Sequence, residues 1–118
     1  MILITDIMVG LVALLHFYFL ILEMFLWEKP TGLRVFNLSR EEAATTKVLA
    51  ANQGLYNGFL AAGLVWGLLL GAEGNAVKIF FLCCILIAGL YGAVSVGRKI
   101  LFVQALPAAI GLTLLLLV

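Results

Sequence analysis

Four apolar runs, at residues 2–27, 48–71, 76–97 and 100–118, take up most of the chain. Each is close to the roughly 20 residues that a helix needs to cross about 30 Å of hydrocarbon. A soluble domain balances about half apolar residues against about a quarter charged. Here 65% are apolar and 11% charged, with a mean hydropathy of +1.24. Apolar side chains must therefore face outward as well as inward, which is stable when the surrounding solvent is lipid. Backbone polar groups in lipid have to be satisfied within each segment, and this selects helices. The expected fold is all-α, a transmembrane antiparallel four-helix bundle forming a single domain over residues 1–118.

The connections support that count. Residues 28–39 form the longest expected loop, with Pro30, Gly32 and Asn37 as breakers. It closes at Ser39-Arg40-Glu41-Glu42, a capping-box pattern that opens a helix ahead of the apolar part beginning at Val48. Ala72 to Asn75 and Arg98-Lys99 are short turns, so the helices they join should be antiparallel. The first run lacks a positive leader and is followed by Glu28-Lys29-Pro30 instead of a small-residue cleavage site, so it is expected to be a retained span. Lys29, Arg34, Arg40 and Lys47 in the first loop and Arg98 and Lys99 in the third face a lone Lys78 on the opposite side. By the positive-inside rule, loops one and three are cytoplasmic and both termini are non-cytoplasmic, in a multi-pass protein of the cell membrane.

Several chemistries find no footing. The net charge of +1 and the scattered basic residues make no nucleic-acid surface. Cys83 and Cys84 are adjacent in an apolar helix, where their side chains diverge by about 100° and a mutual bridge would be strained. There is no HExxH, serine elbow, CxxC or Gly-rich phosphate loop. Two candidate ligands, His16 and Glu23, are too few for a metal site. Neither a metal nor a cofactor is expected.

Depth along the helices gives the functional lead. At about 1.5 Å per residue, Glu23, Gln53, Ser95 and Gln104 lie roughly 4–8 Å below the cytoplasmic surface. Tyr91 lies at about 10 Å, with His16 and Asn57 near the midplane. His16 and Glu23 are seven apart and share a helix face with Trp27, while Gln53 and Asn57 are four apart and share another with Thr46. Unpaired amides and carboxylates in hydrocarbon are costly, so the two stripes should meet. The expectation is a polar cavity in the cytoplasmic half of the bundle, lined by His16, Glu23, Trp27, Gln53, Asn57, Tyr91, Arg98 and Gln104. The competing reading makes these residues interhelical glue, with Glu23 snorkelling or paired to Arg98.

Small residues mark close approaches. Ala50, Gly54, Gly58 and Ala62 form one stripe, Gly63, Gly67 and Gly71 a second, and Gly89, Ala93 and Gly97 a third. These faces would pack helices together or join copies in a homo-oligomer. Pro107 should bend the last helix.

The stretches ALLHFYFLILEMFLWEKPTG, ANQGLYNGFLAAGLVWG and AGLYGAV carry a resemblance. In these residues the chain resembles the DUF1304 family of small bacterial and fungal membrane proteins, over essentially its whole length. The combination of His16, Glu23, Trp27-Glu28, Pro30 and Gly32 with Asn52-Gln53-Gly54 and Tyr56-Asn57 is its specific part. That family is described by topology and not by a reaction, so the resemblance implies four spans and transfers no catalytic role.

Three functions stay open. The cavity could bind or transport a small amphiphile or lipid-like ligand. It could instead host proton-transfer chemistry on a lipid-soluble substrate, with His16 and Glu23 as acid and base. Or the protein could be a structural membrane subunit whose polar residues specify packing. Membrane lipid is the expected partner in each case.

Overall fold

The computed structural model describes residues 2–118 and is all-α, with no strand among the described residues. Helix α1 spans Ile2–Met24, α2 Pro30–Phe36, α3 Arg40–Leu69, α4 Asn75–Ser95, α5 Arg98–Ile100 and α6 Leu106–Leu117. A 3-10 turn, Gly71–Gly74, joins α3 to α4, and a π-helical turn, Leu101–Ala105, joins α5 to α6. Contacts gather into two units, Leu14–Ala61 and the combination of Met1–Ala13 with Ala62–Val118.

Within Leu14–Ala61, α1 and α3 pack antiparallel. Gly54 faces Leu20, Glu23 and Met24, and Gly58 faces Leu20. The helix starts as its sequence demands: the Glu42 N–H donates to Ser39 Oγ at 3.0 Å and the Ser39 N–H donates to Glu42 Oε1 at 2.9 Å, the reciprocal capping box. The segment 28–39, expected as loop, contains α2. Pro30 opens this helix instead of breaking it, because its fixed φ and missing N–H suit the first turn. Gly32 is seated where a Cβ would lie 2.0 Å from the Leu26 carbonyl oxygen, so only glycine lets α2 fold back on the end of α1. Asn37 does act as a stop, in the left-handed region with φ 54°. The first helix also ends earlier than expected, at Met24 in place of Trp27.

In the other unit α3 and α4 pack antiparallel, with Gly63 against Phe81 and Gly67 against Lys78. The returning helix packs antiparallel on α4, Gly89 meeting Ala105 and Gly92 meeting Ile100. The buried core here includes Val9, Val12, Leu64, Leu82, Ile85, Ala105, Ala108 and Leu115. Pro107 lacks the N–H that an α-helix would use, and the π turn lies just before it, the Leu106 N–H bonding the Leu101 carbonyl. Cys83 and Cys84 are free and half-buried.

Three segments are long and apolar enough to cross a membrane: Ile2–Met24, Gly71–Ser95 and Arg98–Leu117. The second expected span is not among them. Its helix, α3, carries Asn52, Gln53 and Asn57 inside its apolar part, and these lower its hydropathy. Large apolar side chains including Leu14, Phe17, Leu69, Ile87 and Val94 are exposed, which fits a lipid surrounding.

Two outcomes follow from these contacts. A Cβ at Gly74 would lie 2.0 Å from the Gly67 carbonyl oxygen, whereas one at Gly10 meets nothing within 4 Å. Gly74→Ala should therefore cost about 1–3 kcal/mol and Gly10→Ala should not destabilise, read as melting temperatures in detergent. The second concerns Glu42, whose carboxyl the Ser39 N–H and hydroxyl hold below its ordinary value of 4.5. A depressed carboxylate stabilises the folded state above its ordinary value, and the contribution disappears as the pH falls through the lower folded value. An NMR titration should place Glu42 below 4.5 in the parent, and Ser39→Ala should move it back up.

Candidate functional site

Gly54 and Gly58 bring α1 and α3 close enough for short side chains to touch across them. A Cβ at Gly54 would lie 3.0 Å from Glu23 Cβ and 2.7 Å from Met24 Cγ. At this approach the Asn57 amide reaches the carboxyl, Nδ2 donating to Glu23 Oε1 at 2.5 Å. Both residues are buried, Glu23 3% and Asn57 7% exposed. Gln53, one turn before Asn57, is a second hydrogen-bonding neighbour of the carboxyl and is itself exposed. The two polar stripes therefore meet, and the described partners of Glu23 are amides.

His16 lies two turns before Glu23 on α1, fully buried at 0% exposure, with its ring edge-on to Phe19 at a centroid distance of 5.3 Å. Trp27 lies just past the end of α1. Its Nε1 donates to Thr46 Oγ1 at 3.1 Å, and its ring packs on Phe36 of α2 at 4.8 Å. Thr46 in turn donates to the Glu42 carbonyl at 2.7 Å. Trp27, expected to line the cavity, thus ties the end of α1 to α2 and α3.

The remaining expected residues belong to the other unit. Tyr91 is exposed on α4, and its carbonyl accepts the Ser95 hydroxyl at 2.8 Å. Arg98 is exposed at the start of α5 instead of ending α4, and Gln104 is half-buried in the π turn. No cluster of three or more His, Cys, Asp or Glu suited to a metal occurs among the described residues.

That unit holds a polar cluster the sequence reading passed over. Lys78 is 2% exposed, its stem lying along Gly67. Its ammonium donates to the Gly71 carbonyl at 3.2 Å, to Asn75 Oδ1 at 3.4 Å and to Asp6 Oδ1 at 3.4 Å, the last an ion pair. The available signal was that Asp6 and Lys78 are opposite charges at the same end of their helices. Counting Lys78 as a loop charge hid it.

Removing either half of a polar pair should separate these roles. Glu23→Gln can still accept from Asn57 and should melt close to the parent, whereas Glu23→Ala leaves a buried amide without its partner and should cost about 1–3 kcal/mol. At the other cluster Asp6→Ala should destabilise more than Lys78→Met, because it strands a buried ammonium while the Asp6 side chain is 42% exposed and can be solvated. Thermal melts in one detergent give both orders.

Comparison with known proteins places the chain among relatives. The family model for DUF1304, described as a protein of unknown function, matches residues 10–116. The uncharacterized protein YpaA of Lactococcus lactis subsp. lactis (strain IL1403) is 35% identical over 106 residues, covering 88% of this chain and 89% of its own. No solved structure matches the chain. A match over nearly the whole length, reaching from the middle of α1 to the last turn of α6, means that this chain belongs to the DUF1304 family.

Proposed function

We propose that the protein is an integral membrane protein, a single four-span antiparallel bundle over residues 1–118 that binds or carries a small amphiphile at a polar site in its cytoplasmic half. The observation that carries this reading is the buried Glu23–Asn57 hydrogen bond at the closest approach of α1 and α3, with His16 buried on the same face of α1. In hydrocarbon such groups are expensive to keep, and they mark substrate paths more often than ordinary packing. The apolar part of α3 supplies the fourth span. Its amides make it too polar to qualify alone, but a partner helix that satisfies Asn57 lowers that cost.

His16, Glu23, Gln53 and Asn57 form the site, with Trp27 at its cytoplasmic lip. A ligand lying along the α1 face would span about 10 Å from His16 to Glu23. Its polar head, a hydroxyl or an amine, would be met by the carboxyl and amides near the surface and its apolar part by Phe19 and Leu20. Exposed Gln53 is the point of entry from the bilayer. Loops one and three are cytoplasmic and both termini are on the other side. The burial of Lys78 strengthens the bias, because the one basic residue counted on the far side is held in an ion pair.

Topology and ligand have separate tests. In a Cys83→Ser, Cys84→Ser background, cysteines at Thr31 and Val96 should react with an impermeant maleimide from the cytoplasmic side and one at Ala72 from the other. Opposite labelling of Thr31 and Val96 would overturn the four-span arrangement. For the ligand, parent and Glu23→Gln proteins purified in a mild detergent are compared by native mass spectrometry. The parent should carry a small amphiphile and the folded Gln variant should lose it. A Gln variant that keeps the same molecule unchanged would show that the carboxylate charge is unnecessary, and a parent that carries none would overturn the binding reading.

A further inference from the structure

The glycines within α3 are filled from within the chain, Gly54 and Gly58 by Leu20 and Met24, Gly63 and Gly67 by Phe81 and Lys78. The opposite face of the same helix is different. Thr45, Leu49, Asn52, Tyr56 and Phe59 follow a 4-3-4-3 spacing, and all are exposed, Leu49 by 70%, Tyr56 by 62% and Phe59 by 56%. At this spacing they form one seam, turned away from buried Ala50, Gly54, Asn57 and Ala61. Tyr56 and Phe59 pack on each other along it, with centroids 6.0 Å apart. Among the described residues the Asn52 side chain makes no hydrogen bond.

We propose that this seam of α3 joins two copies of the chain in a parallel, two-fold symmetric dimer, with Asn52 bonding Asn52 of the second copy. The inference rests on the reading that α3 crosses the membrane. Hydrocarbon offers an exposed amide no partner, and a group that both donates and accepts relieves the cost of Asn52 most fully. A second Asn52 is such a group. Copies inserted with one topology present parallel α3 helices, so a two-fold axis along the bilayer normal brings each seam residue against itself. A heptad seam with one asparagine is self-complementary in this geometry and favours one register, because any slip separates the two amides. A lipid tail covers Leu49 and Phe59 equally well but leaves Asn52 unsatisfied.

The cross-linking test uses the whole chain in native membranes, in the Cys83→Ser, Cys84→Ser background. Leu49→Cys and Tyr56→Cys should form intermolecular disulfides on mild oxidation, whereas Ala62→Cys, exposed but off the seam, should not. Asn52→Leu should weaken dimerisation on the order of ten-fold, measured by single-molecule photobleaching in liposomes over a dilution series. An Asn52→Leu protein that dimerises like the parent overturns the proposal. If Tyr56→Cys is shielded from an impermeant maleimide yet forms no disulfide, the dimer is overturned and the spanning α3 stands. If Tyr56→Cys reacts freely with that maleimide, α3 does not cross the membrane, and the proposal falls with that reading.

Discussion

Helix backbones brought together at glycine determine which polar side chains can reach one another in this protein. Asn57 is short, and it meets Glu23 because Gly54 and Gly58 present no side chain at the crossing of α1 and α3. Lys78 is long, and it is buried because its stem lies in the space left by Gly67, with Gly74 closing the turn beside it. Gly89 has the same role against Ala105, where the backbone of one helix touches that of the next. Between apolar helices in lipid, burial alone gives little attraction, so van der Waals fit at such crossings and the hydrogen bonds they permit must supply the specificity.

The two polar clusters differ in chemistry. The Lys78 cluster is a filled cage: a cation surrounded by a carbonyl, an amide oxygen and a carboxylate, all within 3.4 Å. It leaves little for a ligand to bind and reads as a clasp between the start of α1, the turn and the start of α4. The Glu23 cluster is open at one edge, where Gln53, a hydrogen-bonding neighbour of the carboxyl, is exposed. That asymmetry is why the second cluster carries the proposed function and the first does not.

Segment α2 shows how local chemistry can be legible while its consequence is not. Pro30, Gly32 and Asn37 are breakers in isolation, yet here they start, seat and end a short helix that carries Phe36 onto Trp27. The same residue types serve a loop or a compact helical return, and the choice depends on whether a neighbouring carbonyl lies where a Cβ would have been.

Much of the molecule was readable from residues alone. Apolar runs of bilayer length led to the expectation of helices, the form in which a backbone satisfies its own polar groups. The Ser39–Glu42 cap was visible because its donors and acceptors lie within one turn, and so was the turn before α4, whereas Arg98 and Lys99, expected as a turn, begin α5. Helical periodicity alone placed Glu23 with His16 and Asn57 with Gln53. What it could not supply was contact between elements distant in sequence: that Asn57 bonds Glu23 across 34 residues, that Trp27 reaches Thr46, or that Lys78 turns inward to Asp6 across 72. Those pairings depend on the rotation and separation of whole helices. These follow from which glycine faces which side chain, and only the tertiary structure decides that.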